Sequence, residues 1–244
     1  MAGLTAAFAA VAFLYACVGH AGASGYIAVM ALAGLPAEQI KPLALLLNTL
    51  VASVGCWNFL RAGYLPWRCM WPVYVLAIPA AFLGGWLALP VVWFRRLVGV
   101  VLLLSAWQLG RQLNDPPVLR EPTPGVLLAA GGGLGLLAGL TGTGGGVFLT
   151  PLLLLCRWCT TRQAAAVSVL FILLNSIAGL AGLALSGALP MEAMAKPERA
   201  PWLFAVVLAG GLGSRLGSRH LSVTWIRRAL AVVLLLAAWK LLGL

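Results

Sequence analysis

The chain has 244 residues, 62% of them hydrophobic and only 9% charged, with a mean hydropathy of +1.02 and a formal net charge of +11. So little polar surface cannot cover a water-soluble globule, and apolar stretches fill nearly the whole length, which leaves no room for a soluble domain and predicts an all-α integral membrane protein. The arginines sit at the ends of apolar runs rather than along one stripe, as at Arg61, Arg68, Arg95, Arg96, Arg157, Arg162, Arg215, Arg219, Arg227 and Arg228, so the lipid bilayer supplies their counterions and nucleic acid is excluded as a partner.

In chain order, helices are predicted over 3–18, 24–34, 40–60, 70–90 and 94–110, then over 125–140, 146–156, 163–186, 201–217 and 224–242. Residues 1–17 are apolar enough for a signal peptide, but the first basic residue is Lys41 and the stretch has a counterpart at 125–140, so it reads as part of the mature protein. The first two helices are separated by a glycine-broken segment, Gly19-His-Ala-Gly-Ala-Ser-Gly-Tyr-Ile27. Lys41 opens the helix that carries Asn48 and reads as an interfacial lysine that snorkels, with attraction of anions at the mouth as the other reading. Trp67, Trp71, Trp86, Trp93, Trp202, Trp225 and Trp239 lie near segment ends, as an aromatic belt requires. The proline-rich, charged stretch 111–124 cannot continue a helix and reads as a linker between a first membrane unit, 1–110, and a second, 125–244. The second unit opens on another broken segment, Gly139-Leu-Thr-Gly-Thr-Gly-Gly-Gly-Val-Phe-Leu-Thr-Pro151, followed by Gln163-Ala-Ala-Ala-Val-Ser168 and Asn175.

The two units are copies of one pattern. Residues 94–109 match 226–241 through Arg-Arg and Ala-Trp at an offset of 132; Asn48 matches Asn175 at 127; Gly19, Gly22 and Gly25 match Gly139, Gly142 and Gly145 at 120. Each unit then has four crossings and the copies are parallel if the broken segment passes straight through, or three crossings with the copies inverted if it folds back as a re-entrant hairpin. Segment length does not choose between these. The cluster Arg215–Arg228 places the loop before the last helix in the cytoplasm and the C-terminus on the non-cytoplasmic side.

Nine glycines fall in 131–146. Gly131–Gly139 read as helix-packing positions, whereas Gly142, Gly144, Gly145 and Gly146, with Thr141 and Thr143 among them, are too dense for regular helix and read as an unwound site. Successive N–H groups in such a break, backed by the positive end of the next half-helix, suit an oxyanion. The broken pair near the bilayer midplane therefore predicts a transport site for a small anionic substrate, lined by Gly19, His20, Gly22, Ser24, Gly25, Thr141–Gly146, Ser168 and the matched amides Asn48 and Asn175, which bind the substrate or tie the breaks to their neighbours. Ser53 and Ser176 are further hydroxyl candidates. All five acidic residues, Glu38, Asp115, Glu121, Glu192 and Glu198, fall in loops or at helix ends, so His20 is the candidate proton-coupling group; the alternative is a helix-end histidine bonded to a freed carbonyl. The five cysteines make no disulfide framework and Cys156-Arg-Trp-Cys159 lacks a second ligand pair, so neither metal nor cofactor is expected.

The glycine motif with its trailing proline, the segment leading into Asn175 and the duplicated layout resemble the sulfite exporter TauE/SafE family over the whole chain. The resemblance implies about eight transmembrane helices and a secondary transporter of sulfur-containing anions, sulfite and organosulfonates among them, acting in export from the cell (inner) membrane. In the first copy His20, Ala23 and Ser24 replace Leu140, Thr143 and Gly144, which leaves the substrate open. A passive anion channel, or a subunit of a larger membrane complex, would use the same features, and a homodimer is compatible with them. An enzyme would need a nucleophile with its base or a carboxylate pair in the core, and none is read.

Overall fold

The computed structural model describes residues 2–87, 90–110, 118–189 and 197–217, together with 235, 238 and 239. It is helical throughout these residues: α1 Ala2–Cys17, α2 Ala23–Leu32, α3 Ala37–Arg61, α4 Trp67–Met70, α5 Pro72–Trp86, α6 Val91–Gly110, α7 Pro124–Thr141, α8 Gly146–Leu155, α9 Thr161–Leu185 and α10 Ala200–Gly217, with a 3₁₀ turn at Pro197–Arg199. Among them α3, α7 and α9 are long and apolar enough to cross a membrane, while α1, α2, α5 and α8 are apolar and shorter. Most of the helix predicted over 224–242, with Trp225 and His220, lies outside the described residues, as do Asp115 and Glu192.

Local chemistry sets the helix starts. Pro72 and Pro124 occupy the first turns of α5 and α7, where a missing N–H is harmless, and Thr160 and Gln163 form a reciprocal capping box at α9. The segment predicted over 70–90 divides at Trp71 and its helix stops at Trp86.

Close contacts fix the directions in which the helices run. Gly131, Gly135 and Gly139 of α7 press in turn on the backbone of Val73, Ala77 and Ala81 of α5, so these two helices are parallel. Likewise α10 runs with α1, Trp202 beside Phe8 at 5.1 Å between ring centroids and Gly213 beside Phe13. Asn58 donates to Ser214 at 2.7 Å while Val51 meets Gly210, which makes α10 parallel to α3 as well. Tyr74 donates to the Val167 carbonyl and Phe82 meets Gly182, so α5 runs with α9. Leu45 faces Gly179 and Gly55 faces Val169, so α3 and α9 are antiparallel. Hence α1, α3 and α10 point one way and α5, α7 and α9 the other.

Both breaks turn the chain back on itself. A straight helix would carry position 145 roughly 10 Å beyond Ala138, yet a Cβ at Gly145 would lie 3.2 Å from the Ala138 Cβ and 3.3 Å from the Leu134 carbonyl. Gly25 in the same way packs on Val11 and Tyr15 of α1, and Tyr26 sits 5.9 Å from Phe8 between ring centroids. Short links then join α2 to α3 and α8 to α9. Since α3 runs parallel to α1, and α9 to α7, α2 and α8 are the returning arms of hairpins.

Candidate functional site

The hairpin tips are built from glycines in the left-handed region: Gly19 (φ 77°) and Gly22 (φ 102°) in the first, Gly142 (77°), Gly144 (71°) and Gly145 (77°) in the second. A side chain at these positions is strained, so the backbone can turn there at little cost. At each tip the first N–H groups of the returning arm, those of Ala23, Ser24 and Gly25 and those of Gly146 and Val147, donate to no backbone carbonyl among the described residues. Those of Gly144 and Gly145 do not either. Free donors at a helix start carry partial positive charge and suit an anion.

Asn48 lies against the second hairpin at Gly144, and Asn175 sits on the facing helix α9. Each lies near the middle of a 25-residue helix, and the register of α3 against α9 sets Asn48 level with Ser176 and Asn175 level with Thr49, so the two amides share one depth. Both are fully enclosed, and among the described residues neither end of either amide has a hydrogen-bond partner; the Ser176 and Tyr26 hydroxyls are in the same position. Buried polar groups without partners cost about 1–3 kcal/mol each, a cost that a protein carries where a guest supplies the bonds. The Asn48 Nδ2 and Ser176 Oγ converge on Gly144, 2.7 Å and 3.3 Å from where its Cβ would be.

Other predicted residues are already engaged. The Ser24 hydroxyl meets Tyr15 at 2.9 Å. Thr141 donates to the Leu137 carbonyl at 2.6 Å and lies 2.9 Å from Thr143, which stiffens the edge of the second tip. Ser53 is exposed and donates to the Thr49 carbonyl at 2.7 Å, well away from the tips.

His20 reaches across from the first tip to the second hairpin. Its Nδ1 lies 3.1 Å from the Val18 carbonyl and its Nε2 3.1 Å from the Thr150 hydroxyl, which itself donates to Ser168 at 2.7 Å. A carbonyl can only accept, so Nδ1 holds a proton; with Thr150 turned to Ser168, Nε2 donates too. Reversing both hydroxyls gives the neutral imidazole the same bonds. Thr150 escapes a reading of the sequence because it sits in an apolar run before Pro151, and only the packing of α8 on α9 brings it to His20.

Lys41 corrects the expectation of a snorkelling side chain. It is buried, and its ammonium donates to the Gly84 carbonyl at 2.9 Å and the Gly85 carbonyl at 3.2 Å. α3 starts at Ala37, a turn earlier than predicted, so Lys41 lies inside the helix; α5 stops short of prediction and leaves those carbonyls in need of donors. Trp202 is a second correction, being buried against Phe8 rather than anchored in an interface, while Trp67, Trp71, Trp86, Trp93 and Trp239 are exposed. All five cysteines are free thiols, and no cluster of three or more metal-binding side chains occurs among the described residues.

Comparison with known proteins places the chain among membrane transporters. A family profile described as Sulfite exporter TauE/SafE matches residues 4–241. The probable membrane transporter protein y4hK of Sinorhizobium fredii (strain NBRC 101917 / NGR234) is 41% identical over 246 residues, covering 98% of this chain and 97% of the relative. No solved structure matches the chain.

Proposed function

The chain belongs to the sulfite exporter TauE/SafE family, and from that footing we propose that it is a secondary transporter that carries a small sulfur-containing anion, sulfite or an organosulfonate, out of the cell. The observation that carries this reading is the pair of glycine-tipped hairpins with N–H groups unpaired among the described residues, together with two enclosed amides at one depth, one of them against the second tip. Such groups hold an oxyanion by many modest hydrogen bonds and by helix-end charge, weakly enough for release.

The same contacts support two inverted membrane repeats. α1 and α7 open the two units and run in opposite directions, α1 pairs with α10 as α7 pairs with α5, and α3 meets α9 at the centre. In the first unit a hairpin is followed by three crossings, α3, α5 and α6, an odd count, which is what inversion requires. Arg61, Arg68, Arg120, Arg157, Arg162 and Arg215 gather at one end of the bundle against Arg95, Arg96 and Arg199 at the other, so the first end is assigned to the cytoplasm; the last crossing expected from the sequence over 224–242 then puts the C-terminus on the outer side of the inner membrane. Rocking of one repeat against the other around the amides gives alternating access.

The test is flux. Purified protein in proteoliposomes should take up sulfite, thiosulfate or sulfoacetate saturably, with chloride a poor competitor; unsaturable flux that ignores a proton gradient would instead support a passive anion channel. His20 is the proposed proton carrier, because its bonds to Val18 and Thr150 survive in either charge state once the hydroxyls of Thr150 and Ser168 turn round. A His20→Gln variant should keep some uptake but lose its response to an imposed proton gradient; an unchanged response would remove His20 from the coupling.

A further inference from the structure

A cavity of about 170 Å³ lies outward of the paired amides, where the start of α3, the end of α5 and the start of α6 meet; Glu38, Lys41, Gly85, Trp86, Phe94 and Leu140 are among the residues that line it. Lys41 is its buried cation, and two of its three ammonium protons are taken by the Gly84 and Gly85 carbonyls. Those acceptors are neutral groups at a helix C-terminus and offset only part of a full charge. Among the described residues no carboxylate pairs with Lys41; Glu38, one turn earlier on α3, is exposed. One N–H and most of the charge therefore remain for a guest.

The second hairpin connects this cavity to the amides. A Cβ at Gly142 would lie 3.1 Å from the Lys41 carbonyl and 3.3 Å from its Cγ, while Gly144 meets Asn48. Lys41 and Asn48 are seven residues apart, which puts them on one face of α3 about 10 Å from each other. The repeat offers no equivalent cation: the offset that takes Asn48 to Asn175 takes Lys41 to Ser168, a hydroxyl bonded to Thr150.

We propose that Lys41 forms a second binding station for a small oxyanion at the outer mouth of the passage, so that the two faces of the transporter recognise the anion differently. This rests on the transport reading above. Sulfite concentration dependence, measured on right-side-out and inside-out membrane vesicles, tests it. Lys41→Gln keeps amide donors for the two carbonyls but removes the charge, and should raise the half-saturating concentration at the outer face about tenfold while leaving the inner face within about twofold; Lys41→Arg should restore most of the outer-face affinity. Equal shifts at both faces, or none at either, would overturn the station. So would Lys41→Arg and Lys41→Gln losing thermal stability and affinity together, which would make Lys41 only a strap between α3 and α5. Sulfite-induced thermal stabilisation in detergent separates the two ideas. Stabilisation that needs Lys41 in a protein without transport would keep the station and end the transport reading, whereas normal transport by Lys41→Gln would do the reverse.

Discussion

Asn48→Ala and Asn175→Ala should each lower the rate of anion uptake by about 10- to 100-fold while leaving the protein as thermally stable as before, or more so. The loss of transport follows from the energy of a hydrogen bond to a charged partner, about 1.5–3 kcal/mol. The retention of stability follows from the burial of these amides, which have no partner at either end among the described residues. Alanine removes two unpaired polar groups at each site, which relieves about 1–3 kcal/mol per group, and it is a better helix former than asparagine by roughly half a kcal/mol. Against this stands the lost packing of the side chain, most of all at Asn48, which lies against Gly144. An asparagine that held the fold together would behave in the opposite way: its alanine variant would melt early and transport normally per folded molecule. Melting in detergent and initial uptake, measured on the same preparations, therefore distinguish a binding amide from a structural one. The double variant should be close to inactive, since in the proposed site both amides reach the same guest.

Much of this architecture is legible in the sequence, because hydropathy, glycine and proline act locally. The breaks at Gly19–Gly25 and Gly142–Gly146 announce themselves as glycine too dense for helix, and the ends of α3, α7, α8 and α9 fall within a few residues of the pattern that predicts them. What local chemistry cannot supply is the path of the chain after each break, since a segment of that length fits either a crossing or a hairpin. The contacts of Gly25 with Val11 and of Gly145 with Ala138 decide it, and neither is implied by composition. Lys41 is misread for a related reason. Its role depends on where α5, some forty residues later, leaves its last carbonyls. Trp202 looks like an interfacial anchor until α1 is laid beside α10 and covers it. Thr150 carries no motif at all, and its partnership with His20 spans 130 residues.

Within α7 the glycines should respond to alanine in opposite ways. At Gly131, Gly135 and Gly139 an added methyl group meets the backbone carbonyls of Val73, Ala77 and Ala81 at distances no atom pair tolerates, so α5 and α7 must move apart along their length. Overpacking costs about 1–3 kcal/mol where side chains can shift; here the neighbour is rigid backbone, and each variant should sit at or above the top of that range. Separating these helices also shifts α5 against α9, and with it the seat of Asn175, so transport should fall along with stability. At Gly133, on the same helix, nothing lies within 4 Å of the added methyl, and alanine should gain roughly 0.5–1 kcal/mol from its helix propensity with no loss of uptake. Thermal unfolding of the four variants in one detergent tests this directly. Uniform tolerance would mean that α5 and α7 are not in backbone contact, and the parallel pairing on which the proposed inverted repeats rest would fall with it. Uniform damage, Gly133 included, would show that α7 needs flexible glycine throughout rather than close approach at every fourth residue.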